Sequence, residues 1–195
     1  MARQAKQSIL VCYLRSSSTL LQDHFLNRMA ALRAPSTDDG SEAIVHVELY
    51  FPDPHNRDQG LSAGIHYGGT MFMYPKTFSR TDWTFHSIPA TDRQVAKAKA
   101  FCRRQLGANF NYQGFFLPSP CNLGHEYRRK NGDTKRMPWF CSELVAYALH
   151  HADLIDDVTT MVACKHPSAT YNAVREHCDT YMDCARSLKG NILQL

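Results

Sequence analysis

The chain has 195 residues, 44% of them hydrophobic and 21% charged, with a formal net charge of +4. That length suits one domain with its own core and is short for two, and the balanced composition excludes a disordered or fibrous chain. The mild positive charge argues for solubility rather than for a nucleic-acid partner.

Met1 to Gln7 is polar and basic, and the apolar run behind it, Ile9 to Leu14, is about one strand long. A secretory core needs more, and a membrane-spanning helix needs roughly 20 apolar residues, so neither is expected. Ser8 to Leu14 reads as a buried strand. Thr19-Leu-Leu-Gln22 has the capping-box pattern, and Leu21, Phe25, Met29 and Leu32 follow at helical spacing, which predicts a helix over 19–33. Pro35 to Ser41 is a polar, turn-rich loop and the candidate mobile segment. From Ile44 to Phe51 the residues alternate, with Val45, Val47, Leu49 and Phe51 on one face and His46, Glu48 and Tyr50 on the other. Ser62 to Tyr67 and Thr70 to Tyr74 flank Gly68-Gly69, a two-residue hairpin signal, and Trp83 to Ile88 supplies another strand.

Thr91-Asp-Arg-Gln94 is a second capping box, opening a helix through Val95, Ala98, Phe101 and Cys102 to Leu106, with Gly107 as its C-terminal cap. An aromatic stretch from Asn109 to Leu117 leads into a long loop. Pro138 precedes a helix over 139–151, and a last helix starts near Ser168 and runs toward Leu188. The order is strand and helix, then sheet, then helices, which is an α+β layout in a single domain over 1–195.

The seven cysteines, Cys12, Cys102, Cys121, Cys141, Cys164, Cys178 and Cys184, are an odd count. With no export signal they read as reduced thiols in the cytoplasm. Structural zinc would want two close ligand pairs. Cys164 and His166, or His177 and Cys178, find no second matching pair, so no metal is expected.

Cys141, in Trp139-Phe140-Cys141-Ser142-Glu143-Leu144-Val145, falls in the first turn of its predicted helix. There the N–H groups and the positive dipole end favour a thiolate and could form part of an oxyanion hole. The dipole contributes only about 0.3–1 kcal/mol, so a reactive cysteine also needs a partner base. The competing explanation is packing, because Cys141 is in register with Leu144, Val145 and Ala148. His46 sits mid-strand on the face opposite the apolar residues, where an imidazole can be held rigidly. Glu48 shares that face and could orient it. A structural histidine and an exposed sheet-face charge are the plainer alternatives. Arg128-Arg129-Lys130 and Lys135-Arg136 make the loop before Cys141 basic. That loop could meet an acidic peptide, a phosphate or an anionic membrane surface, though a solvated loop is the default. Phe110, Tyr112, Phe115 and Phe116 could line an acyl pocket or serve as core.

The histidine strand with its His-Val-Glu-Leu setting, the hairpin, Gly107-Ala-Asn-Phe-Asn-Tyr-Gln-Gly114, Phe140-Cys-Ser-Glu-Leu-Val145 and Pro167-Ser-Ala-Thr-Tyr171 follow in that order. Together they resemble the circularly permuted branch of the NlpC-like papain superfamily. That branch includes bacterial and viral cysteine peptidases and is related to the lecithin:retinol acyltransferase type. The resemblance covers 43–172 and leaves 1–42 as an N-terminal strand–helix elaboration. It implies a papain-like fold, a central antiparallel sheet packed against helices that include the cysteine helix. It also implies Cys141 as nucleophile and His46 as base. Families of this group place the third polar residue on the strand after the histidine strand, where this chain offers Ser62 or His66. Glu48, on the histidine strand itself, is the residue assigned here, with those two as alternatives.

The implied function is a cysteine peptidase or amidase working through an acyl-enzyme, without a cofactor, on a peptide, amide or acyl-ester substrate. A lipid-directed acyltransferase or phospholipase on the same site, with peripheral membrane contact, is the first rival. The second is a non-catalytic binding module that keeps the scaffold. Nothing in the sequence specifies an oligomeric state.

Overall fold

In the computed structural model, residues 7–18, 34, 36–53, 55–56, 59–112, 138–155 and 166–178 are described. The predicted helix over 19–33, the basic residues from Arg128 to Arg136 and the last helix beyond 178 lie outside these residues, as do Phe115 and Phe116. The fold is α+β.

Five strands form one antiparallel sheet: β1 (Gln7–Arg15), β2 (Ile44–Pro52), β3 (Gly60–Ile65), β4 (Met71–Pro75) and β5 (Trp83–Ala90), in the order β4-β3-β2-β1-β5. β1 lies inside the sheet between β2 and β5, and its apolar run is explained by that place. Ile9, Val11, Cys12 and Tyr13 are all fully buried, because both faces of this interior strand are covered. Three helices follow, α1 (Asp92–Gln105), α2 (Cys141–His151) and α3 (167–178). α1 and α2 pack on each other and on the sheet. Val95, Ala98, Phe101 and Cys102 of α1 and Leu144, Val145, Ala148 and Leu149 of α2 share one core with Val11, Val47, Leu49, Phe51 and Ile88. Cys12, Leu14, Tyr50 and Trp83 form a smaller cluster of their own. Among the described residues no helix is long and apolar enough to cross a membrane.

The capping box at Thr91 forms as its sequence predicts. Thr91 Oγ1 accepts from Gln94 N–H, and Gln94 Oε1 accepts from Thr91 N–H at 2.9 Å. Gly107, with φ of 79°, turns the chain out of α1 in the left-handed region that favours glycine. Its neighbours then run beside β4 and the approach to α2. Met71 N–H bonds Ala108 O, Phe110 N–H bonds Gly69 O and Trp139 N–H bonds Asn109 O. The segment after α1 thus fixes the residues just ahead of Cys141.

Two local expectations are corrected, the hairpin and the face of Val45. The hairpin between β3 and β4 is not closed by two residues. Ile65 pairs with Met71, so 66–70 form a five-residue loop in which only Gly68 has a positive φ. In the loop at 36–41, Asp38 N–H bonds Asn172 Oδ1 and Tyr171 OH bonds Asp39 Oδ2, which ties these residues to α3. Val45 does not share a face with Val47. Arg15 pairs with Ile44 while Leu14 pairs with His46, so β2 carries an extra residue there, a β-bulge. Ile44 joins the main core and Val45 packs against the smaller cluster.

Replacing Thr91 by Ala removes one cap bond from α1 and is expected to lower stability by about 1 kcal/mol, read as a shift in the urea midpoint at unchanged slope.

Candidate active site

The bulge sits where β2 begins, and His46 follows it. Its side chain is 11% exposed. Nε2 of the ring lies 3.2 Å from Glu48 Oε1, although the two residues are only two apart on one strand. Both side chains are long enough to bend toward each other across that spacing. Cys141 acts on the same ring, and its influence is the largest of those that raise the His46 pKa. Nucleophile candidate, base candidate and carboxylate are therefore contiguous.

Cys141 is the first residue of α2, and Phe140 before it has extended dihedrals. Glu143 Oε2 accepts from Phe140 N–H at 2.9 Å, which is half of a capping box. The Glu143 carboxylate thereby holds the entry turn of the helix. Cys141 is 8% exposed, so the packing expected from its register and the contact with His46 are both realised.

Glu48 has no exposed surface, and everything polar around it is arranged on its two oxygens. Ser62 Oγ donates to Oε2 at 2.5 Å. Lys76 Nζ donates to Oε1 at 2.6 Å, and His66 Nε2 lies 3.8 Å from the same oxygen. Both alternative third residues, Ser62 and His66, are thus placed on Glu48. Lys76 is a site residue that the sequence pattern does not mark. It follows β4, and its ammonium lies 4.7 Å from the Trp83 ring centroid and 4.8 Å from that of Phe78, where the ring faces help hold a cation away from water. Only the pairing of β4 on β3 and β3 on β2 brings it to Glu48, and one sequence carries no signal of that register.

The ring of His46 is clamped in plane as well as at its nitrogen. His66 stacks on it at 4.9 Å between centroids, Phe72 stacks on His66, and Trp83 meets His46 edge-on at 6.1 Å.

These contacts set the protonation states. Burial alone would lower the His46 pKa. The charge and hydrogen bond of Cys141, then the hydrogen bond and charge of Glu48, outweigh it and raise the imidazole from 6.5 to about 9. Burial would raise Glu48, but His46 and then Lys76 hold it down at about 2. His66 is pulled down to about 4 by burial and by the charges of His46 and Lys76, against the opposite pull of Glu48. At neutral pH the group is an ionised carboxylate, an imidazolium and a neutral second imidazole. Cys12, paired with Glu48 across β1 and β2, is pushed well above an ordinary thiol by burial and by that carboxylate.

His46, Glu48 and His66 offer three ligand atoms within 4.8 Å of one another, a spacing that could hold a metal ion. The Lys76 ammonium, on the shared Oε1, already stands in the cation's place and does not fit a metal there. No family model, no curated protein and no solved structure matches the chain. The chemistry of the site rests on its own geometry.

Two outcomes follow. The folded-state value of Glu48 lies below that of the unfolded chain. Its stabilisation is therefore present above about 4.5 and is lost as pH falls toward 2. Urea midpoints of the wild type should fall across that window, and Glu48→Gln should flatten the fall. Lys76→Met leaves a fully buried carboxylate short of its cation. With Lys76 partly exposed, the expected loss is about 2 kcal/mol, below the 3–5 kcal/mol of a fully buried pair, read by the same denaturation.

Proposed function

We propose that the protein is a thiol hydrolase working through an acyl-enzyme, on a circularly permuted papain-like scaffold of the NlpC type. The observation that carries this reading is His46 held by Glu48 on its Nε2 at 3.2 Å, with Cys141 at the head of α2 acting on the same ring strongly enough to raise its pKa. Nucleophile, base and orienting carboxylate then form one chain of contacts. A β-strand before the histidine and a helix opening on the cysteine fit the permuted order, with the histidine first.

In the reaction, Cys141 sulfur attacks the carbonyl carbon of an amide or ester. The N-terminal end of α2, whose first-turn N–H groups have no partner within the helix, stabilises the oxyanion. The His46 imidazolium gives its proton to the leaving amine or alcohol as the carbon–nitrogen or carbon–oxygen bond breaks. Water then attacks the thioester, His46 takes its proton, and the carboxylic acid leaves with the thiolate restored. Glu48 is a positioning residue here. It keeps Nε2 engaged, so the opposite ring nitrogen exchanges the proton with sulfur, and its charge stabilises the imidazolium. No step needs a cofactor.

An ester or amide probe that leaves an acyl group on sulfur tests this. Wild type should be labelled, and Cys141→Ala and His46→Ala should not; equal labelling of Cys141→Ala would overturn the assignment. Among substrates that turn over, kcat/KM should decline on the alkaline side near pH 9, where the imidazolium is lost. Glu48→Gln should move that limb to lower pH and cost about 10²-fold in kcat.

A further inference from the structure

Bulges re-aim side chains, and the one in β2 lies directly ahead of His46. A bulged strand end needs something to hold it, because its backbone groups fall out of step with the neighbouring ladder. On the β3 side the ladder of β2 runs only from Leu49 to Pro52, paired with Ala63 to Gly60. Ile44, at the start of β2, is beyond its reach. The place of a strand is taken there by one hydroxyl. Ser168 Oγ accepts from Ile44 N–H at 3.0 Å and donates to Ile44 C=O at 3.3 Å. A single side chain thus engages both backbone groups of the residue, as a paired strand would. Ser168 itself is 1% exposed and sits in the first turn of α3.

We propose that Ser168, by clamping both backbone groups of Ile44, is the positioning residue that aims His46 at Cys141. The reading rests on the function proposed above. It adds that α3, far along the chain from the histidine strand, is part of the machinery that sets the base. His46 is then fixed from both sides: by the clamp two residues before it and by Glu48 two residues after it. The loop at 36–41 leads directly into Ile44 and is tied to the same helix through Asp38–Asn172 and Asp39–Tyr171. α3 therefore holds the entry to β2 at several points.

The groups facing His46 are Cys141, Glu48, His66 and Trp83, with Lys76 behind Glu48, whereas the Ser168 hydroxyl binds the backbone of Ile44. A change at Ser168 that alters the titration of His46 is therefore read as acting through the ring's position. Thr170 supplies the control. It is a fully buried residue of the same helix whose hydroxyl has no hydrogen-bond partner among the described residues, so Thr170→Val removes a comparable polar group without removing a clamp.

The test compares Ser168→Ala and Thr170→Val by steady-state kinetics on an acyl ester, by NMR titration of the His46 ring and by amide exchange at Ile44. Ser168→Ala is expected to lower kcat by about tenfold or more with KM within twofold, since misplacing a reacting group by about 1 Å costs up to 10² in rate. The alkaline limb and the ring midpoint should both shift to lower pH, and Ile44 N–H should exchange faster. Thr170→Val should match wild type in all four. Unchanged ring titration in Ser168→Ala overturns the proposal, as does an equal effect in Thr170→Val, which would mean general loosening of the helix. The ring and amide readouts need no turnover. A wild type inert toward both amides and acyl esters would overturn the proposed function while the clamp is still judged by them.

Discussion

A carboxylate with no solvent exposure lies on the face of this sheet, and much of the candidate site is the means of keeping it charged. An unpaired ion in such a place costs several kcal/mol even after relaxation. Glu48 avoids that through Lys76, His46 and Ser62, which spread their donors over both oxygens. The Lys76 cation is itself sheltered by Trp83 and Phe78, so the rings of the smaller apolar cluster serve the electrostatics of the site. The same carboxylate then favours the charged form of His46. Stability and proton chemistry share one set of contacts, which is why a substitution at Glu48 or Lys76 should be felt in both.

At Cys141, packing coexists with the proposed reactivity. Its register with Leu144, Val145 and Ala148 places it on the inward stripe of α2, and the side chain is nearly covered. Being the first helical residue, however, it sits at the end of that stripe, where the helix opens toward the start of β2. The stripe anchors the helix against the sheet, and the anchored helix presents the sulfur to the imidazole. The interior location that suggested mere filler is the reason the geometry is fixed.

Much of this was legible in the chain. The capping box of α1, the apolar run of β1, the start of the cysteine helix and the shared face of His46 and Glu48 all follow from local rules of spacing. What local rules miss is register. Val45 was assigned to the face of Val47 because strict alternation knows nothing of an extra residue opposite Leu14 and Arg15. Ser62 and His66 were competing candidates for the third residue, whereas the paired strands bring both to Glu48. Lys76 carried no signal, and Ser168 stood only inside the late Pro-Ser-Ala-Thr-Tyr motif with no role attached, since each acts on a residue 28 or 124 positions away. Their roles exist only once strands and helix are assembled.

The pairing of His46 with Cys141 is what the proposed chemistry depends on, and the His46 ring reports on it directly. Its resonance, assigned by loss in His46→Ala, should be titrated in wild type and in Cys141→Ala. The account predicts a midpoint near pH 9 in the wild type and a clear fall in Cys141→Ala, because the first of the groups that raise it is gone. A ring that titrates near 6.5 in both proteins would contradict it.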